Sequence, residues 1–177
     1  MFKAILEIIP EAVIAIVGFF VGTWKEKRSL TKNEDSKSLE SLLDSLPSFS
    51  TIEFYYVEKN LIDSFNSNIF HQFNDAFSRV ISDPTSAFID KELQDLAVEI
   101  NVLSKDFINC IIIDTFPTGN GEQTIRRTKL GDDYDDLKTG NFLNETATKI
   151  FEKYKLFLSS AKRKGIVQKR NDNSKKI

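Results

Sequence analysis

The side chains with chemistry to offer are few. They are two acids in an apolar stretch, Glu7 and Glu11, a single histidine, His71, a single cysteine, Cys110, and a run of acids, Asp132, Asp133, Asp135 and Asp136, preceded by Arg126 and Arg127. A histidine can act as a general base or a pH switch. His71 sits between Phe70 and Phe73 with no recognisable serine or cysteine motif to activate, and a triad needs several placed groups; it reads as a structural residue. Cys110 falls on an apolar helical seam, where a thiol is inert. A lone cysteine excludes an internal disulfide and any multi-cysteine zinc site, and a lone histidine excludes the paired histidines of H-E-x-x-H.

Gly119-Asn120-Gly121 is glycine-rich, but it lacks the GxxxxGK[ST] order and the helix start that align donors on a phosphate. The four aspartates offer hard oxygen ligands, yet their spacing is not that of an EF-hand loop. They read as a solvated acidic turn pairing loosely with Arg126, Arg127 and Lys129 or, in the sharper reading, as a loop that docks a partner. The chain is therefore expected to be no enzyme and to hold no metal or cofactor.

Glu7 and Glu11 acquire meaning only from the element that carries them. Ala4 to Trp24 reads AILEIIPEAVIAIVGFFVGTW, with no charge from Ala12 to Trp24. At about 1.5 Å of rise per residue the stretch reaches about 31 Å, close to the ~30 Å of bilayer hydrocarbon. Lys25, Lys27, Arg28 and Lys32 follow it against a single Lys3 before it, which places the C-terminal body on the cytoplasmic side, with Trp24 at interface height. A cleaved signal would carry its positive charge ahead of the apolar run and small residues at a cleavage site; this stretch does neither. Pro10 lacks a donor for the preceding turn and starts or kinks the helix. An in-plane anchor or a buried helix is the competing reading of the segment.

On a helical wheel Ala4, Glu7, Glu11, Ala15, Gly18 and Gly22 share one face, opposite Ile5, Ile9, Ile16 and Phe20. Gly18 and Gly22 form a GxxxG, which with Ala15 lets helices approach closely in lipid. An acid at membrane depth costs of the order of 2.5 to 3.5 kcal/mol unless it faces a bundle interior or water. Glu7 and Glu11 either line the interior of a homo-oligomer or reach water from the outer headgroup layer.

Length and composition bound the rest. With 177 residues, one anchor and one globular body fit, and two folded domains do not. Hydrophobic content of 41% with 28% charge is that of a globular chain, and fifteen phenylalanines make its core aromatic. Lys162 to Ile177 holds seven basic residues and one acid, leaving residues 1 to 161 with 17 basic and 25 acidic side chains. An acidic body with a basic tail is not the broad basic face of a duplex reader, and no aromatic alternates with the lysines as single strands would want, so a nucleic-acid partner is not expected. The tail, Lys162, Arg163, Lys164, Lys169 and Arg170 above all, suits anionic headgroups or an acidic partner.

The body is read as all-α. Residues 25–37 form a linker or a solvated continuation of the anchor. Ser38 to Leu46 is a short amphipathic helix, with Leu39, Leu42, Leu43 and Leu46 on one face and Pro47 closing it. Ile52 to Val57 suits strand by propensity, but the periodicity beyond favours helix: Leu61, Phe65, Ile69, Phe73, Ala76, Phe77 and Val80 form one stripe. A long helix capped by Thr85 or Ser86 runs to about Asp114, its seam Leu93, Leu96, Ile100, Leu103, Phe107 and Cys110 suggesting antiparallel packing ahead of a dimeric coiled coil. Ile111, Ile112 and Ile113 are expected to be buried from several sides. Residues 115–141 form a long irregular loop, and Asn144 to Lys164 a last helix that Gly165 stops.

The expected architecture is a single membrane-spanning helix, 1–24, a linker, 25–37, a cytoplasmic antiparallel helical bundle, 38–164, and a disordered basic tail, 165–177, in the inner (plasma) membrane. Two functions fit it. One is a self-associating membrane effector of defence or toxin type, perturbing the membrane or conducting ions; the other is a membrane-tethered scaffold whose bundle and 116–141 loop recruit a cytosolic protein. The bilayer, a second copy of the chain and a protein partner are the expected associates.

Overall fold

The computed structural model describes residues 26, 29–118, 122–125 and 133–166, with the backbone alone for 133–136. The expected membrane helix, residues 4–24, lies outside the described residues. Among the described residues no helix is long and apolar enough to cross a membrane. What is described is a helical bundle with one small hairpin.

Residues 29–45 form the first helix, α1. Of the two readings of 25–37, linker or solvated helix continuation, residues 29–37 are helical, and the short leucine helix is the latter part of a longer one. Leu39, Leu42 and Leu46 are buried as their spacing requires, but Leu43 stays at the surface. The upstream turns are held by polar contacts the leucine pattern does not contain. The Asp35 carboxylate, buried within the fold, accepts the Ile89 and Asp90 N–H groups at 2.6 and 3.1 Å. The Ser36 hydroxyl donates to the Ile166 carbonyl at 2.8 Å.

After Pro47 the Ser48 hydroxyl caps α2, Phe49–Glu53, by accepting the Thr51 N–H at 3.2 Å. A π-turn follows over Phe54–Glu58, closed by Lys59 N–H on the Phe54 carbonyl at 2.7 Å. The stretch between strand and helix preference is thus helical. Its extra residue places Tyr56 inside and leaves Phe54 and Val57 outside.

The expected stripe from Leu61 to Val80 is two pieces. Residues 59–67 leave the helix because Asn60 and Asn66 turn their side-chain oxygens onto the N–H groups of Ile62 and Asn68, at 3.2 and 3.0 Å, a local bond that competes with the helical ladder. Helix α3 then spans Asn68–Ser82 and buries Phe70, Phe73, Ala76, Phe77 and Val80. Phe70 takes the inward place expected of Ile69, which is half-buried.

Helix α4, Lys91–Asp114, starts later than Thr85 or Ser86. Asp83 folds its carboxylate onto Thr85 and Ser86, making that segment a turn, and Asp90 is the cap, accepting the Leu93 N–H at 3.2 Å. Leu93, Leu96, Ile100 and Phe107 of the seam are buried, with Leu103 and Cys110 partly so.

In the region expected to be irregular, the described residues 115–117, 123–125 and 133–141 belong to two strands and a helix. Strand β1, Thr115–Pro117, pairs antiparallel with β2, Gln123–Ile125, in the register Thr115 to Ile125, and Phe65 bridges to Gln123 through two N–H···O bonds of 2.8 Å. Helix α5 then runs from Asp133 to Arg163, one long antiparallel partner for α4. Ile166 N–H bonds the Ala161 carbonyl at 3.0 Å and Gly165 N–H the Lys162 carbonyl at 2.9 Å, with Gly165 at φ 67°; this is the paired-bond stop expected of a C-terminal glycine, with buried Ile166 returning onto the last turn.

The core is aromatic. Tyr56 meets Phe70 at 4.9 Å and Phe73 at 5.0 Å between ring centres, and Phe70 meets Phe107 at 4.9 Å. Phe77 continues the stack to Tyr154 and Phe157. Such tilted and edge-on pairs add about 0.5–1.5 kcal/mol each beyond area burial.

Candidate functional site

The bundle has two unlike ends. At one, α1 arrives, α4 begins and α5 finishes. At the other, α4 runs into the hairpin and α5 begins.

The second end carries the most exposed apolar group. Ile111 is completely buried, but Ile112 is 63% and Ile113 70% exposed, and Phe116 on β1 is 40% exposed. The expectation that all three isoleucines would be buried fails for a geometric reason: successive helical residues turn by about 100°, so three in a row span too wide an arc for one neighbour to cover. Thr115 fixes the break from helix to strand, its buried hydroxyl within 2.7 Å of the Gln123 side-chain amide. Leu137 and Phe142 are also exposed, on the first turns of α5 at the same end. This apolar end was missed in the sequence, and its signal is the triple isoleucine itself.

A cleft of about 240 Å³ lies beside the π-turn, lined by Tyr56, Val57, Glu58, Lys59, Asn60, Asn144 and Thr148. Ligand cavities usually enclose about 300–1,000 Å³. Its amides are bound to one another and to the backbone: Asn144 accepts the Leu61 N–H at 2.9 Å and donates to Asn60 at 3.0 Å, and Thr148 donates to the Asn144 carbonyl at 2.9 Å. The cleft is a joint between α5 and the 59–62 turn.

The residues singled out by chemistry fall as follows. Cys110 donates its thiol to Asp114 at 3.2 Å, and burial together with that carboxylate pushes the thiol up to about 12, so it stays protonated and unreactive. His71 is half-buried on α3, its backbone N–H on the Ser67 carbonyl at 3.1 Å. Among the described residues no three His, Cys, Asp or Glu side chains cluster as metal ligands. Glu7, Glu11, Ala15, Gly18, Gly22, Trp24, Lys25, Lys27, Arg28, Arg126, Arg127, Asp132, Lys169 and Arg170 lie outside the described residues. Asp133, Asp135 and Asp136 belong to the first turn of α5 rather than to a loop.

The basic tail is divided. Lys164 bonds Asp90 at 2.8 Å and Glu92 at 3.0 Å, and Arg163 bonds Glu92 at 2.7 Å. Both cations, expected to meet lipid or an acidic partner, instead tie the end of α5 to the start of α4. Lys162 remains exposed. Comparison with known protein families, with curated proteins and with solved structures finds no match to this chain.

Proposed function

We propose that the chain is a membrane-tethered helical module that recruits a protein partner through the end of the bundle remote from the tether. One observation carries the reading: three large apolar side chains, Ile112, Ile113 and Phe116, stand exposed within five residues of one another, where a long helix whose inner face is locked into the core passes into strand β1. Exposed apolar groups gathered in this way mark interaction sites. Ile112 lies about 33 Å along α4 from Asp90, at roughly 1.5 Å per residue, so a tether at the α1 end holds this surface away from the bilayer. The apolar segment 4–24 and the basic residues after it supply the tether and the cytoplasmic orientation.

The test is a photo-cross-linking residue at position 113 in the full chain, with one at the exposed Val98 of the same helix as control. A discrete adduct from 113 that is absent from 98, and that disappears with Ile112→Asp, is expected. Equal labelling from both positions overturns the reading.

A second reading rests on the shared face of Ala15, Gly18 and Gly22 with Glu7 and Glu11: self-association in the bilayer and membrane perturbation or ion conduction by the oligomer. Gly18→Ile with Gly22→Ile separates the two. Loss of self-association and of ion flux favours the effector; an intact 113 adduct in the same variant favours the recruiting module.

A further inference from the structure

We infer that residues 29–37, the upstream half of α1, form a strap that detaches from the body as a unit while the rest of the bundle stays folded. The inference goes beyond the recruiting module and stands without the tether. Where the tether holds, the strap is the stretch that joins it to the body, and its release lets the far end of the bundle swing relative to the bilayer.

The two halves of α1 are attached by different forces. The downstream half buries Leu39, Leu42 and Leu46, and apolar burial of that kind is what holds a helix on a core. In the upstream half the one buried side chain is a carboxylate, that of Asp35, while the one large apolar side chain, Leu30, is 60% exposed. Its bonds to the body run from the Ile89 and Asp90 N–H groups to Asp35, at 2.6 and 3.1 Å, and from the Ser36 hydroxyl to the Ile166 carbonyl, at 2.8 Å. Hydrogen bonds to a surface site are exchanged for bonds to water on release. Ile89, which makes the shortest of them, stands on such a site, its own side chain 60% exposed. The carboxylate also regains its hydration on leaving; the loss of that hydration in the fold is what raises its affinity for a proton.

What the strap leaves behind is closed by contacts of its own. Asp90 caps α4 by accepting the Leu93 N–H, and Lys164 bonds Asp90 and Glu92. Glu92 accepts the Ser160 hydroxyl at 2.7 Å, and the Ile166 N–H returns onto the Ala161 carbonyl. None of these contacts passes through residues 29–37, so the joint between α4 and α5 survives the strap's departure. Proteins open in such cooperative pieces at free energies below that of global unfolding. The Ile89 and Asp90 N–H groups report this opening, because Asp35 is what shields them.

Amide hydrogen exchange on the full chain in mild detergent tests the strap with two variants. Ser36→Ala removes the bond to Ile166, at a residue that touches neither Ile89 nor Asp90 in the hydrogen bonds above, and alanine favours the helix itself. Exchange at the Ile89 and Asp90 amides is expected to quicken by about tenfold, the worth of one hydrogen bond. Ile150→Val weakens the core, where Ile150 is fully buried, equally with the strap on or off. It is expected to speed the core amides of Ile100 and Phe107 and to leave Ile89 and Asp90 at the parent rate. Unchanged exchange at 89 and 90 in Ser36→Ala overturns the strap, because those amides are then freed by motion of their own turn. Exchange at 89 and 90 that quickens in Ile150→Val as much as at Ile100 also overturns it, because they are then freed only by global unfolding. Neither readout depends on whether residues 4–24 span a membrane, so alkaline extraction decides the tether separately.

Discussion

Gly140 shows how much one residue can hide in a sequence. Among the glycines of 115–141 it reads as a loop residue, yet it lies buried within α5, where a Cβ would run into Ile62 Cγ1 and come within 3.0 Å of Ile125 Cδ1. Its absent side chain is what lets the 59–62 turn and β2 close on the helix. Glycine to alanine inside a helix ordinarily adds about 1 kcal/mol, but overpacking a core costs about 1–3 kcal/mol, and here the steric term wins. Gly140→Ala is expected to lower the urea midpoint, and Ile62→Ala in the same chain to restore part of it; a raised midpoint in Gly140→Ala alone would show that the approach is looser. Tyr56 gives the opposite case. Its hydroxyl is buried without a partner among the described residues, and burial holds it well above its ordinary titration range. An unmade buried hydrogen bond costs about 1–3 kcal/mol, so Tyr56→Phe is expected to raise the unfolding free energy by about 1 kcal/mol, and a loss of stability on denaturant unfolding would contradict it.

Helices with a plain apolar period were legible as elements; their joints were not. Of the expected inner face of α5, Leu143, Ala147, Ile150, Phe151, Tyr154, Phe157 and Ala161 are buried and Leu158 partly so, because burial of a helical stripe is a local property of the pattern. The hairpin was illegible because its three-residue strands carry no alternation long enough to read, and its stability comes from Phe65, distant in sequence. The upstream half of α1 was readable as a possible helix, but its attachment to the body was not, because a carboxylate and a hydroxyl, not leucines, make it. The joint between α4 and α5 has a pH signature of its own. Bonds from the Ser160 hydroxyl and Lys164 lower the Glu92 carboxyl below 4.5, so its stabilisation is present above that value and lost as pH falls through the lowered one. Lys164 is raised above 10.5 by Asp90 and Glu92, so its share is present below 10.5 and lost as pH rises through the raised value. Asp35 runs the other way at acid pH: burial holds its carboxyl above 3.8, and its proton-linked contribution is lost as pH rises through the raised value. The urea midpoint of Glu92→Gln is expected to fall less steeply than that of the parent below pH 4.5; parallel profiles would remove Glu92 from the joint's acid response.

At the scale of the molecule, the two ends differ. The core is aromatic, the α1 end joins the upstream half of α1 to the start of α4 and the end of α5, and the far end exposes Ile112, Ile113 and Phe116. An all-α bundle was readable from period alone. Its polarity was not, because that arises from where helices meet, which no single segment records. The proposed function depends on residues 4–24 holding the α1 end at a bilayer. Alkaline extraction of membranes from cells expressing the full chain, with protease access to the C-terminal tail probed from each side, tests that dependence most directly. Retention in the pellet with a tail cleaved only from the cytosolic side is the expected result. Release into the supernatant would mean that the apolar segment does not span, and a recruiting surface held at a distance from the membrane would fall with it.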